Sequence, residues 1–344
     1  MMDQKAAVFL IKKEAVGPSG KPLMLEKVMF CPIMEWMGEV LAASGIKRIF
    51  IACEKEWEQE IRACFDHVEI DLIIATENQE EAKDQFIEEV GSCMLFERPA
   101  LPFQGQVGEF STFKEMMDAS LYCRDDILKQ HLLNGVAVID PGNTYIDPRV
   151  SIEPGATILP GTIIRGRSVI RTGCEIGPNS MVTDCVVEAN TVINQSQVNG
   201  STIGKDVRVG PFAYIRPGCH VADGVKIGDF VELKNSTIGE KTSVAHLTYI
   251  GDSDVGAGVN FGCGTVTTNY DGDKKYRCTI GDRSFIGCNT NLIAPVTVGE
   301  GAYIAAGTTV TKEVPADSLA IGRADQVVKA GWAAKRRAIK NSKY

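Results

Sequence analysis

The stretch that decides the fold is residues 203–233, which read IGKDVRVGPFAYIRPGCHVADGVKIGDFVEL. An aliphatic residue stands at every sixth position, and the same period recurs on both sides of the stretch. A helix would repeat its apolar residues about every 3.6 positions and a half-buried strand about every two, so neither explains the pattern. The aliphatic residues form three runs: Ile146, Ile152, Ile158, Ile164, Ile170, Ile176 and Val182; Ile203, Val209, Ile215, Val221, Ile227 and Leu233; Ile280, Ile286, Leu292, Val298, Ile304 and Val310. A hexapeptide repeat of this kind predicts a parallel β-helix.

The repeat also predicts the shape of each coil. One hexad supplies a short strand and a corner, and three hexads close one triangular coil with the aliphatic residues pointing inward. The dipeptides Gly177-Pro178, Gly210-Pro211 and Pro217-Gly218 suit the corners because glycine and proline favour turns. A single coil cannot bury its apolar face, so many coils must stack into one continuous core.

The chain before residue 135 has a different sequence pattern, in which strand-like and helix-like segments alternate. The predicted strands are residues 6–11, 48–53, 68–75 and 92–96, and the predicted helices are residues 33–44, 54–65 and 78–90. This alternation predicts an α/β domain with a mostly parallel sheet. Residues 99–108, rich in Gly and Pro, predict a linker or loop, and residues 111–133 predict a long helix with Ser111 as its N-cap.

Composition and charge exclude several classes of protein. The chain has 344 residues and a formal net charge of -8, which argues against a general nucleic-acid binder. We expect no signal peptide, since the apolar residues 6–11 are too few for one, and no apolar run approaches the roughly 20 residues that span a bilayer. The eleven cysteines show no CxxC pair or zinc-like spacing, which predicts reduced thiols rather than a metal site. We therefore expect a cytoplasmic protein.

Two local features point to ligand binding. The period slips between Val266 and Ile280, where a polar insertion turns at Asp271-Gly272. An insertion into a solenoid leaves the coil as a loop, and such loops are either tolerated surface segments or binding sites. The mixture of Asn, Tyr and Lys in this loop favours binding. Each coil takes roughly 18 residues, which is the interval between Arg216 and Lys234, so these two cations are predicted to stack and to suit a phosphate.

Five stretches carry a resemblance to a known family. They are GPFAYIRPG at 210–218, AHLTY at 245–249, TNYDG at 268–272, APVTVG at 294–299 and IAAGTTV at 304–310. In this order they resemble the acetyltransferase half of the bifunctional enzymes that make UDP-N-acetylglucosamine, over residues 135–332. The resemblance implies a left-handed β-helix, a homotrimer whose groove is shared by neighbouring chains, and no metal requirement. It also implies acetyl transfer from acetyl-CoA to the amine of glucosamine-1-phosphate, a step toward cell-envelope precursors.

The resemblance also implies roles for single residues. His246 corresponds to the general base, and the ordinary imidazole pKa of about 6.5 suits that role. We interpret His67, His131 and His220 as structural. The sugar-phosphate site would comprise Arg216, Lys234, Tyr249, Asn260 and Lys275, and the acetyl-CoA site would comprise Cys263, Asn269, Tyr270, Cys288, Ala306 and Arg323. Cys288 stands where some family members have serine, so we expect its backbone to provide the useful contact.

The first part of the chain resembles the family's nucleotidyltransferase half in its order of elements but not in its chemistry. Residues 10–17 contain no glycine-rich turn for a triphosphate, and residues 17–21 lack the spacing of a P-loop. Glu97 could hold a cation, but Arg98 beside it argues against this. We expect a degenerate nucleotidyltransferase-like domain over residues 1–110, a linker helix over 111–134, the acetyltransferase β-helix over 135–315 and a tail over 316–344.

Alternatives remain open at the level of sequence. The same groove would suit another amino-sugar phosphate or a nucleotide sugar, which a substrate panel would distinguish. A non-catalytic scaffold or sensor would be expected to lose the histidine or the cations, and both are present. The N-terminal domain, which we expect to have lost UTP binding, is predicted to serve as a scaffold, a packing element or a regulatory site. The basic segment 335–340 predicts either a solvated terminus or a contact to the phosphates of CoA.

Overall fold

The computed structural model describes residues 6–11, 16–98, 100–103 and 106–341. Its first part is an α/β domain. The elements before the β-helix are β1 (Ala6–Leu10), a 3-10 turn (Leu23–Leu25), β2 (Lys27–Val28), β3 (Cys31–Pro32), α1 (Ile33–Ala43), β4 (Arg48–Ala52), a 3-10 turn (Lys55–Trp57), α2 (Glu58–Ala63), β5 (Asp71–Ala75), α3 (Gln79–Val90), β6 (Cys93–Phe96), β7 (Ala100–Phe103), β8 (Gln106–Glu109) and α4 (Phe113–Leu133).

The main sheet of this domain is parallel, as predicted. Its four strands lie in the order β5-β4-β1-β6, and β1 pairs with both β4 and β6. The helix predicted over residues 54–65 is divided into a 3-10 turn and α2, and the strand predicted over 68–75 begins only at Asp71. Half of the stretch predicted to lack a phosphate-binding turn, residues 12–15 of 10–17, lies outside the described residues.

The linker predicted over residues 99–108 is wrong in its described part. The structure forms an antiparallel hairpin there, with β7 paired to β8 and lying against α1 and α4. Ala100 and Leu101 are fully buried in the domain core. The physical reason is burial: Ala100 and Leu101 are buried where β7 lies against α1 and α4, and this packing outweighs the turn-like composition.

Helix α4 begins one residue later than predicted. Its N-cap is Thr112, not Ser111, because the Thr112 side chain accepts a hydrogen bond from the Glu115 amide at 3.2 Å. The Glu115 carboxylate accepts in return from the amides of Ser111 and Thr112, which lowers the pKa of Glu115. This reciprocal pair is a capping box. Among the described residues no helix, α4 included, is both long and apolar enough to cross a bilayer.

The rest of the chain is a parallel β-helix with three faces, which confirms the predicted fold class. Face 1 consists of Tyr145–Ile146, Ile163–Arg165, Met181–Thr183, Gln197–Asn199, Tyr214–Ile215, Glu232–Lys234, Tyr249–Gly251, Val266–Thr268, Asn291–Ile293 and Thr309–Val310. Face 2 consists of Ser151–Ile152, Val169–Ile170, Val186–Val187, Thr202–Ile203, His220–Val221, Thr237–Ile238, Ser253–Val255, Cys278–Ile280 and Val296–Val298. Face 3 consists of Ala137–Val138, Thr157–Ile158, Glu175–Ile176, Val192–Ile193, Arg208–Val209, Lys226–Asp229, Ser243–His246, Asn260–Phe261, Phe285–Ile286, Tyr303–Ile304 and Leu319–Ala320. The exposed helix α5 (Trp332–Asn341) follows.

The core of the β-helix is the aliphatic column that the repeat predicts. Every residue of the three runs is buried. Val187, Ile193 and Val198 continue the column between the first two runs, because some corners there are one residue shorter and shift the period without interrupting the stack. Burying each Val, Ile or Leu side chain contributes about 1.5–3 kcal/mol relative to exposure. The column therefore holds the corners, where polar side chains lie, at fixed heights.

A buried ion-pair network joins the N-terminal domain to the first coils. The Asp147 side chain is fully buried and accepts from Arg149 Nε at 2.9 Å, from Arg149 Nη2 at 2.7 Å and from the Gly166 amide at 3.0 Å. Arg149 Nη1 also donates to Glu35 of α1 at 2.9 Å. The hydrogen bond to Asp147 raises the pKa of Arg149, although burial opposes this rise. Arg167 donates to the same Glu35 at 3.1 Å.

Replacing Arg149 should destabilise the protein because it leaves the buried carboxylate of Asp147 without its cationic partner. We expect Arg149→Ala to lower the free energy of unfolding by about 3–5 kcal/mol, measured by urea denaturation. Arg171→Ala is the matched control, since Arg171 pairs with Glu153 at 2.8 Å on the exposed surface. The control should lose less than about 1 kcal/mol. Equal losses in both variants would contradict a special role for the buried pair.

Candidate active site

The edge between face 3 and face 1 carries a column of outward side chains, which we call the His246 corner. Asp229 pairs with His246 on the next coil. Backbone hydrogen bonds continue the stacking, from the Gly264 amide to Leu247, from the Asn289 amide to Cys263 and from the Gly307 amide to Cys288. The stacked outward residues are Asp229, His246, Cys263, Cys288 and Ala306. The general base predicted from the sequence therefore lies directly above three residues predicted to contact acetyl-CoA.

His246 is held by a carboxylate that the sequence did not single out. His246 Nδ1 lies 2.6 Å from Asp229 Oδ1, and the His246 side chain remains 60% exposed. The hydrogen bond to His246 lowers the pKa of Asp229, so its carboxylate is ionised near neutral pH and can only accept. Nδ1 must then carry the proton. In the neutral imidazole this leaves the Nε2 lone pair free to accept a proton.

The residues that follow this pair adopt an unfavourable backbone conformation. Phe230 has φ 55° and Leu247 has φ 43°, both in the left-handed region. Each side chain is 57% exposed. Large apolar residues are uncommon at positive φ, but Phe212 (φ 60°) and Asn289 (φ 54°) share this conformation on other coils of the same corner, so it is a property of the turn. The backbone here holds Asp229 and His246 at the corner and projects two apolar side chains beside them.

Face 1 carries the predicted phosphate-binding cations. Ile215 pairs with Leu233, so Arg216 and Lys234, the next residues, stack one coil apart as predicted. Arg216 Nη1 donates to Glu232 Oε1 at 3.0 Å, and this contact raises the pKa of Arg216. Tyr249 pairs with Glu232 on the following coil. The result is a polar surface with two cations on one face.

The edge between face 1 and face 2, which we call the Asp252 corner, is organised by one buried carboxylate. Asp252 Oδ2 accepts from Lys234 Nζ at 2.9 Å, and Oδ1 accepts from Asn235 Nδ2 at 2.6 Å. Asn269 Nδ2 also donates to Asp252. The hydrogen bond to Asp252 raises the pKa of Lys234. This carboxylate therefore keeps Lys234 charged and fixes the start of the inserted loop.

The insertion leaves the coil as a short exposed loop, as the slip in the repeat predicts. Ser253 pairs with Cys278, whereas Thr237 pairs with Asp254, so the coil that contains the loop is the longer one. Tyr270 forms an antiparallel bridge with Lys275, and Asp271 Oδ1 accepts from the amides of Asp273 and Lys274 at 2.8 and 2.7 Å. The loop presents Tyr270 and Lys275 to solvent beside the Asp252 corner.

One chain does not gather either predicted binding set in one place. Arg216, Lys234, Tyr249 and Lys275 lie on face 1 or at the Asp252 corner, whereas Asn260 lies on face 3. Of the predicted acetyl-CoA residues, Cys263, Cys288 and Ala306 lie at the His246 corner, where Arg323 Nη1 donates to the Ala306 carbonyl at 2.7 Å. Asn269 and Tyr270 lie at the opposite edge of face 1. The assigned roles therefore stay predictions.

Sequence reasoning missed three carboxylates that organise these surfaces. Asp229 contacts His246, Glu232 contacts Arg216, and Asp252 contacts Lys234. Each partner lies 16 to 18 residues away in sequence, which is one coil of the β-helix. A search for opposite charges at that interval would have found all three pairs.

Comparisons with known proteins give three kinds of match, to a family, to relatives in sequence and to a solved structure. The bacterial transferase hexapeptide family, described by six repeats, matches residues 200–235 and 277–312. The bifunctional protein GlmU of Clostridium acetobutylicum is 50% identical over 241 residues, which is 70% of this chain and 53% of that protein. GlmU of a Geobacillus species is 49% identical over 227 residues, 66% of this chain and 50% of that protein.

Over about two thirds of its length this chain is similar to GlmU proteins. The chain spans about half the length of the GlmU proteins it matches. The resemblance read from the sequence is thereby confirmed. The UDP-N-acetylglucosamine acyltransferase of Francisella novicida is also similar in structure, with 17% identity, a TM-score of 0.39, and coverage of 57% of this chain and 72% of that one.

Proposed function

We propose that this chain transfers an acetyl group from acetyl-CoA to the amine of glucosamine-1-phosphate. The observation that carries the proposal is the His246–Asp229 pair. A proton acceptor with its Nε2 free stands on an exposed corner, next to a face with Arg216 and Lys234. The similarity to GlmU agrees with this chemistry and supplies the substrates by analogy.

The proposed reaction uses His246 for one proton transfer. The amine lone pair attacks the thioester carbonyl carbon, and His246 Nε2 takes the proton that the nitrogen loses. The tetrahedral intermediate collapses by breaking the C–S bond, and the thiolate of CoA leaves with its electron pair and takes the proton from His246 Nε2, which restores the base. Asp229 accepts a hydrogen bond from the Nδ1–H group throughout and stabilises the imidazolium that forms. Backbone amides near the corner would stabilise the oxyanion, and no metal takes part.

The split of the predicted binding residues between two edges of face 1 supports a shared groove. We infer that a neighbouring chain places its own Asp252 corner and inserted loop opposite the His246 corner, in a homotrimer. Arg216, Lys234 and Lys275 would then neutralise the sugar phosphate, because charge-assisted hydrogen bonds to phosphate are strong. Positioning both substrates in one groove would supply much of the rate.

For the N-terminal domain we propose that uridylyl transfer has been lost. The support is in the sequence, where residues 10–17 contain no glycine-rich turn. The parallel sheet of β1, β4, β5 and β6 would then serve as a scaffold, tied to the β-helix through Asp147, Arg149 and Glu35.

The test is one pair of assays. Purified protein is mixed with acetyl-CoA and glucosamine-1-phosphate while free CoA thiol is followed. A parallel sample holds UTP, magnesium and N-acetylglucosamine-1-phosphate while pyrophosphate is followed. We expect CoA release without pyrophosphate. If a trimer releases no CoA, glucosamine-1-phosphate is not the acceptor. A panel of amino-sugar phosphates and nucleotide sugars would then be tested.

Removing Asp229 should slow acetyl transfer without removing substrate contacts. We expect Asp229→Ala to lower kcat about 10–100-fold with little change in KM, the range known for carboxylates that orient metal-binding histidines. In the variant, nitrogen NMR of His246 should lose the preference for the Nδ1-protonated tautomer. Asp254→Ala, which removes an exposed carboxylate paired with Arg277, is the control. An unchanged tautomer in Asp229→Ala would show that Asp229 does not position the ring.

A further inference from the structure

Two cysteines occupy equivalent positions on adjacent coils of the His246 corner. Asn260 pairs with Phe285 and Phe261 pairs with Ile286, so the same register carries Cys263 onto Cys288. The Asn289 amide donates to the Cys263 carbonyl at 2.8 Å, which shows that this register continues around the corner. The two side chains therefore leave the backbone one above the other.

Stacked positions at this corner are close enough for a disulfide. Adjacent hydrogen-bonded strands lie about 4.8 Å apart, and disulfide-bonded cysteines have Cα atoms about 4.4–6.8 Å apart. Asp229 and His246 occupy the position equivalent to Cys263 and Cys288 on two earlier coils of the same corner. They meet at 2.6 Å, so side chains from neighbouring coils do reach each other at this corner.

These two thiols are also more accessible than most of the other cysteines. All eleven cysteines lie within the described residues, where Cys288 is exposed and Cys263 and Cys93 are half-buried. The other eight are buried, and burial raises the pKa of thiols such as Cys185, to about 11. Because the thiolate is the reactive form, an oxidant in solution should reach Cys288 first.

We propose that Cys263 and Cys288 form a reversible redox pair, which a low-molecular-weight disulfide closes into an intramolecular disulfide. The Cys288 thiolate attacks one sulfur of the small disulfide, forms a mixed disulfide and releases one thiolate. The Cys263 thiolate then attacks the Cys288 sulfur and releases the second. Two protein thiols are oxidised, one small disulfide is reduced to two thiols, and the two protein protons pass to the released thiolates.

The expected consequence is loss of acetyl transfer. Cys263 lies one coil from His246, since the Gly264 amide donates to the Leu247 carbonyl at 3.1 Å. A disulfide there would replace two small, separate side chains with a cross-link on the surface proposed to hold the acetyl thioester. This consequence rests on the proposed function, whereas formation of the disulfide does not. Disulfides in reducing compartments, where they occur, are usually transient and redox-sensing.

Peptide mapping after oxidation tests the pair directly. The full-length protein, fully reduced, is treated with oxidised glutathione, quenched with an alkylating reagent, digested and analysed by mass spectrometry. We expect the wild-type protein to yield a Cys263–Cys288 cross-linked peptide and to keep the mobility of a single chain on a non-reducing gel. Cys263→Ser should accumulate the glutathione adduct on Cys288, and Cys288→Ser should form neither product.

Cys93→Ser is the matched control, because Cys93 is half-buried but lies in β6, and it should behave like the wild-type protein. A wild-type protein that keeps the adduct on Cys288 without the cross-link would overturn the proposal, as would a link between chains. Acetyl transfer is measured on the same samples before and after reduction. If the reduced protein has no activity, the proposed function fails while the peptide map still decides the redox pair.

Discussion

His246→Ala should lower kcat for acetyl transfer by about 10²–10⁴-fold, the range that a positioned general base contributes. The amine must lose a proton as its bond to the carbonyl carbon forms, and the Nε2 of His246 is the acceptor that we propose at the His246 corner. The ring protrudes from a corner and its Nδ1 is held by Asp229. We expect KM for both substrates to change little. The measurement is initial-rate release of CoA thiol.

His220→Ala is the matched control for this variant. His220 is exposed on face 2, so it carries the same side chain on a face that has no proposed role. Its rate should equal that of the wild-type protein. If His246→Ala retains the wild-type rate, the general-base assignment is wrong, although transfer to a different acceptor group would remain testable with the substrate panel.

Asp252→Ala should have the largest effect on stability at the proposed site. We expect the free energy of unfolding to fall by about 3–5 kcal/mol, because one partner of a buried ion pair is removed. Asp252 is 5% exposed and satisfies Lys234, Asn235 and Asn269 together. Without it, a shielded ammonium group and two amides lose their acceptor. Urea denaturation at neutral pH measures the difference.

The same residue gives a pH dependence. Burial alone would raise the pKa of Asp252, but hydrogen bonds from Asn235, Lys234 and Asn269 outweigh it and lower the pKa. A carboxyl group whose pKa is lowered by folding stabilises the protein above its unfolded pKa of about 3.9. That stabilisation is lost as the pH falls through the lower, folded-state pKa. The stability difference between wild-type protein and Asp252→Ala should therefore shrink in acid.

Asp254→Ala provides the comparison. Asp254, two residues after Asp252, forms an exposed ion pair with Arg277 at 2.6 Å. An exposed pair contributes less than about 1 kcal/mol. If Asp252→Ala lowers the free energy of unfolding no more than Asp254→Ala does, burial of the Asp252 carboxylate does not increase the stabilisation from its ion pair.

The parts of the structure that the sequence predicts are those governed by one repeated interval. The aliphatic column follows from the hexad, and the stacking of Arg216 on Lys234 follows from the length of one coil. The insertion at 267–279 is visible because it breaks the same interval. Each of these features depends only on positions within the repeat, so no knowledge of distant contacts is required.

The features that were missed depend on contacts between segments. The hairpin of β7 and β8 has the composition of a linker, but β7 lies against α1 and α4 and buries Leu101 in the core. Asp229 lies 17 residues before His246, whereas Arg216 and Lys234 are separated by a coil one residue longer. A search for partners exactly 18 residues apart therefore does not pair Asp229 with His246. The variable corner lengths conceal pairings of this kind until the coils are aligned in space.

The column of outward side chains at the His246 corner bears on how this surface can change over evolutionary time. Each coil contributes one side chain, and the next lies about 4.8 Å along the axis. The aliphatic core fixes that spacing whatever the outward residue is. A mutation such as serine to cysteine at position 288 therefore changes one side chain of the column and leaves the side chains above and below it in place. The corner can therefore acquire a new reactivity one residue at a time, while the coils that support it continue to fold as before.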